Sequence, residues 1–118
     1  MAWSQWFEFT PNEVANEAPT TTGVFCLARR DASCDYSRGK SRTVFIGVAD
    51  DAQRGLRAVL GDIADGKAGR IHEERAVHGG LRFCFQANLG AAATSLHQAL
   101  LDDFERSFGE PPRCNRRP

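Results

Sequence analysis

At 118 residues the chain has length for one domain and none for a second. Hydrophobic residues at 42% and charged residues at 25% suit an ordinary globule, and fifteen basic against fifteen acidic side chains leave no net charge, which excludes capture of polyanions by bulk attraction. No apolar run approaches the ~20 residues of a membrane span, and Met1 is not followed by the basic-then-apolar pattern of an export signal. The expectation is a cytoplasmic chain with no membrane partner.

Trp3, Trp6, Phe7 and Phe9 open the chain as an apolar cluster suited to covering a core. Thr10-Pro11-Asn12-Glu13 then reads as a capping box, with threonine at the N-cap and proline at the first helical position. The short helix it starts must stop before Pro19. Gly23 to Ala28 and Thr43 to Val48 predict two strands, rich in β-branched and aromatic residues. They pair most simply as a hairpin with a long mobile tip over residues 29–42. Asp50 or Asp51 can cap the next helix, whose stripe is Leu56, Val59, Leu60 and Ile63, with Gly66 closing it. Gly55 and Gly61 inside it each cost about 1 kcal/mol against alanine, so a neighbour is expected to pack close at both. Leu81, Phe83 and Phe85 alternate with Arg82, Cys84 and Gln86 as a third strand. Leu96, Leu100, Phe104 and Phe108 place a last helix from about Gly90 to Phe108, ended by Gly109 and barred from restarting by Pro111-Pro112. The order α-β-β-α-β-α predicts an α+β fold, a small antiparallel three-stranded sheet flanked by helices.

Cys26 and Cys84 sit in strand-like runs, where cysteine behaves as a small hydrophobe. A zinc set of Cys34, Cys114 and one of His72, His78 or His97 lacks ligand spacing, and His72 to His78 is not H-E-x-x-H because Ala76 stands at the second histidine's place. Thirteen of the fifteen basic residues are arginine, whose planar fork suits phosphate or carboxylate. A GC-rich coding sequence explains the same bias.

Gly23-Val24-Phe25 on one strand, Phe45-Ile46-Gly47 on the next, a helix directly after, and Pro112-x-x-Asn115 behind the last helix resemble the GIY-YIG nuclease family. The resemblance runs from about Gly23 to Asn115. The opening W-x-x-W-x-x-F and Pro19 are similar to the small bacterial members. It implies one GIY-YIG-like domain over 1–118: an aromatic segment and short helix over 1–22, a core over 23–115, and a tail over 116–118. It also implies a phosphodiester hydrolase in which two tyrosines handle protons, an arginine steadies the phosphate and a glutamate holds one divalent metal. Here the tyrosine positions hold Phe25 and Phe45, and the arginine position falls on Gly55 beside Arg54 and Arg57. The glutamate position falls near His97 or Gln98. Only Asn115 keeps the pattern, and the stretch between the two motifs is longer than is usual in the family.

Four such losses leave slight activity at most. The first reading is a nucleic-acid binding or processing domain with little or no metal-dependent cleavage. Phe25 and Phe45 would face bases, and Arg54, Arg57, Arg113, Arg116 and Arg117 would meet phosphates; both phenylalanines serve equally as core. The alternative is a remodelled enzyme for a small-molecule ligand in a more apolar cleft. Its base would be His97, its nucleophile Cys34, Cys84 or Cys114, and Arg54 and Asn115 would complete the site; the plainer reading of His97 is a surface residue of an amphipathic helix. A third reading is an interaction protein using the N-terminal aromatics and the long loop. The last is residual cleavage from a displaced site, in which Asp50, Asp51, Asp102 or Asp103 would hold magnesium. No other cofactor is expected.

Overall fold

A computed structural model describes residues 3–64 and 80–115. Sequence expectations at Gly66, His72, His78, Arg116 and Arg117, and for the side chain of Ile63, lie outside the described residues. In chain order the elements are β1 (Phe7–Glu8), α1 (Pro11–Glu17), β2 (Gly23–Arg29), β3 (Cys34–Tyr36), β4 (Gly39–Ser41), β5 (Thr43–Ala49), α2 (Ala52–Ala64), β6 (Leu81–Gln86) and α3 (Ala92–Phe108), followed by a 3₁₀ turn at Arg113–Asn115.

Local chemistry sets the helix ends. Thr10 Oγ1 accepts from Glu13 N at 3.2 Å, and Pro11 fills the first helical position of α1. Gln53 Nε2 donates to the carbonyls of Ala15 and Ala18 at the other end, at 3.1 and 3.2 Å, so α2 satisfies acceptors that α1 leaves open. Of the two aspartates, Asp51 caps α2, its Oδ1 accepting from Arg54 N at 3.0 Å. Gly109 ends α3 in the left-handed region at φ 80°, where a Cβ would be strained.

The expected three-stranded sheet is corrected to a four-stranded sheet in the order β1-β6-β2-β5 and a separate two-stranded sheet β3-β4. The fourth strand comes from the aromatic N-terminus. Phe7 pairs with Phe83 and Glu8 with Arg82, and Ser4 N and Phe9 N donate to the carbonyls of Phe85 and Leu81, each at 2.9 Å. Two paired residues carry too little alternation to be read as a strand. Only part of the cluster covers the core: Phe9 is buried, whereas Trp3 and Trp6 are 37% and 45% exposed.

The mobile tip is also corrected. In β3 the side chains alternate buried, exposed, buried. Tyr36 packs edge-on against Phe104 at 5.0 Å and tilted on Phe108 at 5.8 Å. Its hydroxyl donates to Thr43 O at 2.7 Å and accepts from Arg113 N at 3.2 Å. Arg38 N and Nη2 reach the carbonyls of Phe108 and Arg106. The hairpin is thereby docked on the end of α3.

Burial pushes the Tyr36 phenol above its ordinary range; the neighbouring Cys34 and Cys114 thiols add to the shift and the Arg113 N–H opposes it. A raised folded pKa means that the folded state holds this proton more tightly than the unfolded chain. The resulting stability is complete below the free phenol's ~10 and is lost as pH rises above it toward the folded value. Tyr36 is the chain's one tyrosine, so phenolate absorbance reports it alone. On alkaline titration that absorbance is expected to appear together with unfolding, measured by circular dichroism on the same sample. A phenolate signal near pH ~10 in a folded chain would contradict this burial.

Candidate functional site

β5 is an edge of the larger sheet. An edge exposes every second N–H and C=O, which must be covered or left to water. At Ile46 the cover is made by side chains. Asn115 Oδ1 accepts from Ile46 N at 2.8 Å, and Asn115 Nδ2 donates to Ile46 O at 2.9 Å. His97 Nε2 lies 3.0 Å from the same carbonyl. A carbonyl only accepts, so this nitrogen carries the proton, and both lone pairs of Ile46 O are engaged.

Around this clamp lies an open concavity of about 350 Å³, lined by Phe25, Phe45, Ile46, Gly47, Val48, Gly55, Val59, His97 and Asn115. Two glycines set its floor. A Cβ at Gly47 would come within 2.6 Å of the Phe25 ring and 2.7 Å of the Phe45 ring; one at Gly55 would meet Ala49 Cβ at 2.8 Å and the Phe25 ring at 3.3 Å. The Phe25 ring thus lies against both glycines, and Gly55 is the position where the resemblance puts an arginine. Among the described residues no such neighbour exists at Gly61, where a Cβ would meet nothing within 4 Å. The close approach expected at both glycines holds at Gly55 alone.

The expected site residues divide accordingly. Phe25, Phe45, His97 and Asn115 converge. Phe25 is only 3% exposed and is core, so stacking falls to Phe45, which is half-buried and 6.1 Å from it between ring centroids. Arg54 is exposed at the start of α2 and does not line the concavity. Arg57 is two residues beyond Gly55, about 200° around the helix, and faces away. Arg113 is held by its main chain against Tyr36 and also lies outside the lining.

The chemistry available is sparse. Among the described residues, no Asp, Glu, Lys or Arg lines the concavity. His97 Nε2 is committed to Ile46, so a base here would have to work through Nδ1. Of the two residues near the expected glutamate, Gln98 is turned outward to Asp102 at 2.9 Å. Asp103 pairs with Arg106 at 2.7 Å, Asp51 caps α2, and Asp50 lies in a different recess with Thr22 and Thr94. The displaced carboxylate site is therefore not assembled. Among the described residues no group of three or more His, Cys, Asp or Glu side chains is placed to hold a metal ion. The donor set does not fit magnesium, and no step is derived through one. The candidate nucleophiles fare no better. Cys34 and Cys84 are buried, and Cys114 is half-buried and outside the lining. Cys26, opposite Cys84 in the β2–β6 register, has its thiol pushed far up by the Cys84 side chain first and by burial second.

The clamp was missed in the sequence because an asparagine alone does not reveal that both ends of its amide will meet one peptide unit. Asn115→Asp keeps the acceptor for Ile46 N–H and turns the donor into a carboxylate oxygen facing Ile46 O. A loss of about 1–3 kcal/mol is expected by urea denaturation at neutral pH, partly recovered in acid, where the introduced carboxyl regains a proton. Unchanged stability would mean that the edge is held otherwise. No helix among the described residues is long and apolar enough to cross a membrane. Set against protein-family models, curated proteins and solved structures, the chain matches none.

Proposed function

We propose that this chain binds nucleic acid without cutting it, on a scaffold resembling that of the GIY-YIG nucleases, and seats an unpaired base in the concavity at the β5 edge. One observation carries the reading: Phe45, Gly47, Gly55, His97 and Asn115 meet in one concavity whose polar groups hold a main-chain peptide rather than a reacting atom. The half-exposed Phe45 ring supplies a face for a base. Arg54, exposed on α2 and in no ion pair among the described residues, is the nearest candidate along that helix for a phosphate contact. With no bulk charge behind it, affinity rests on a few such contacts and falls with salt.

Fluorescence anisotropy of a labelled single-stranded oligonucleotide tests this reading. Binding is expected at low ionic strength and should weaken as salt rises. Phe45→Ala is expected to remove about 1–3 kcal/mol of it, the worth of one stacked base. Absence of binding at low salt overturns the proposal. A second reading, a small planar ligand, is favoured by two features of the concavity: its volume of about 350 Å³ and a lining that, among the described residues, holds no Asp, Glu, Lys or Arg match those of small-molecule sites. A nucleoside-sized compound that raises the melting temperature while oligonucleotides do not would select it.

A further inference from the structure

Cys26 and Cys84 stand opposite each other on β2 and β6, the two inner strands of the larger sheet. A strand residue points its N–H and C=O to the same side, so the hydrogen bonds of the flanking strands decide which kind of pair the cysteines make. Ser4 N and Phe9 N donate to the carbonyls of Phe85 and Leu81, so these residues of β6 face β1. Cys84, one position on, faces β2. Asn115 takes both peptide groups of Ile46 from the open edge of β5, and Ile46 is the partner of Cys26. Cys26 is left to bond toward β6. The two cysteines thus exchange both main-chain bonds, which sets their Cα atoms about 5.5 Å apart, at the ~5.5–6 Å most frequent in disulfides. Directly opposed residues put their side chains on one face of the sheet, and the Cys84 side chain is the first cause of the raised Cys26 thiol. Both are buried, at 8% and 4% exposed, in one apolar cluster with Ile46 and Phe104. The other two cysteines are placed differently: Cys34 is opposite Ser41, and Cys114 lies in the 3₁₀ turn.

We infer that Cys26 and Cys84 form an oxidation site, closed into a disulfide when the chain folds beside a small disulfide such as oxidised glutathione and left as two thiols when it folds in reductant. The thiolate of one cysteine attacks the glutathione disulfide, forming a mixed disulfide and releasing one glutathione thiolate. The thiolate of the other attacks the protein sulfur of that mixed disulfide and releases the second. The cysteines are oxidised, glutathione disulfide is reduced, and the two protons end on the two glutathione thiols. Burial fixes the timing. Exchange needs a thiolate that can reach its target, and in the folded chain both sulfurs are enclosed and Cys26 is held protonated. The reaction therefore belongs to the unfolded and folding chain, and the finished sheet keeps whichever form it enclosed. A bridge between β2 and β6 closes a loop that takes in β3, β4, β5 and α2. A loop this long restricts the unfolded chain strongly, so the bridged form is the more stable. The pair shares no residue with the lining of the β5 concavity and stands whatever that concavity holds.

The test refolds the full chain from urea in glutathione buffers, one oxidising and one reducing, then blocks the remaining thiols with iodoacetamide under denaturing conditions. Of the four cysteines, Cys26 and Cys84 are expected to escape alkylation after oxidising refolding and to be joined in one peptide by mass spectrometry. The chain folded in reductant and then given oxidised glutathione without urea is expected to keep both as thiols. The urea midpoint of the bridged chain should lie above that of the reduced chain, by about 1 M or more, and Cys84→Ala should remove the difference. Should Cys84→Ala fail to fold, the chain carrying Cys34→Ser and Cys114→Ser decides, because it retains only the proposed pair and is expected to bridge as the parent does. Both thiols still free after oxidising refolding, a bridge joining any other pair, or a bridged chain without the circular dichroism of the reduced fold overturns the proposal.

Discussion

Phe83→Ala is expected to remove about 3–5 kcal/mol of stability, a large part of the ~5–15 kcal/mol that holds a domain of this size. Phe83 is fully buried in β6. Its ring sits 5.5 Å from Phe7, 6.1 Å from Phe9 and 6.3 Å from Phe85 between centroids, and its main chain pairs with Leu27 in β2 and with Phe7 in β1. Removing it opens a cavity under strands on both sides and takes away the ring on which Phe7 and Phe9 pack. Urea denaturation followed by circular dichroism measures the loss. A midpoint close to that of the parent chain would mean that β1 and its aromatics contribute little to the core.

Gly47→Ala is expected to cost about 1–3 kcal/mol, the range for overpacking. The added methyl would fall within 2.7 Å of both the Phe25 and Phe45 rings, and Phe25 has nowhere to go, being held against Gly55 on its other side. Combined with Phe25→Leu, which shortens the obstructing ring, Gly47→Ala is expected to cost less than the two single changes added together. The coupling should be about 0.5–3 kcal/mol, in the range found for residues in contact. Additive losses would mean that the ring and the glycine do not constrain each other, and the reason for glycine at this position would be gone.

Where sequence patterns were long, they carried into the fold: the stripe Leu56, Val59 and Leu60, the alternation Leu81, Phe83 and Phe85, and the capping box at Thr10 each mark an element that forms. Shorter signals failed for physical reasons. β1 has two residues, and its pairing depends on β6, seventy-odd positions away (7 to 83). β3 was hidden in a stretch of turn formers, although Cys34-Asp35-Tyr36 has the period of two of a half-buried strand. At the candidate site, the convergence of Phe25, Phe45, His97 and Asn115 was foreshadowed by the order of two glycine-bearing strands, a helix and a terminal asparagine. That Phe25 would be core and Phe45 open is a matter of packing between Gly47 and Gly55, which spacing alone does not encode.

Two features of the concavity support the proposal of binding without hydrolysis. Its amide and imidazole groups are bound to the Ile46 peptide, and among the described residues no carboxylate lines it. A single incubation tests this most directly: a labelled oligonucleotide is mixed with the chain in magnesium and then in manganese, reading complex formation by anisotropy and strand length on a denaturing gel. The expected result is a salt-sensitive complex in which every strand remains intact. Metal-dependent shortening of the strand, lost when His97 is replaced by alanine, would contradict it.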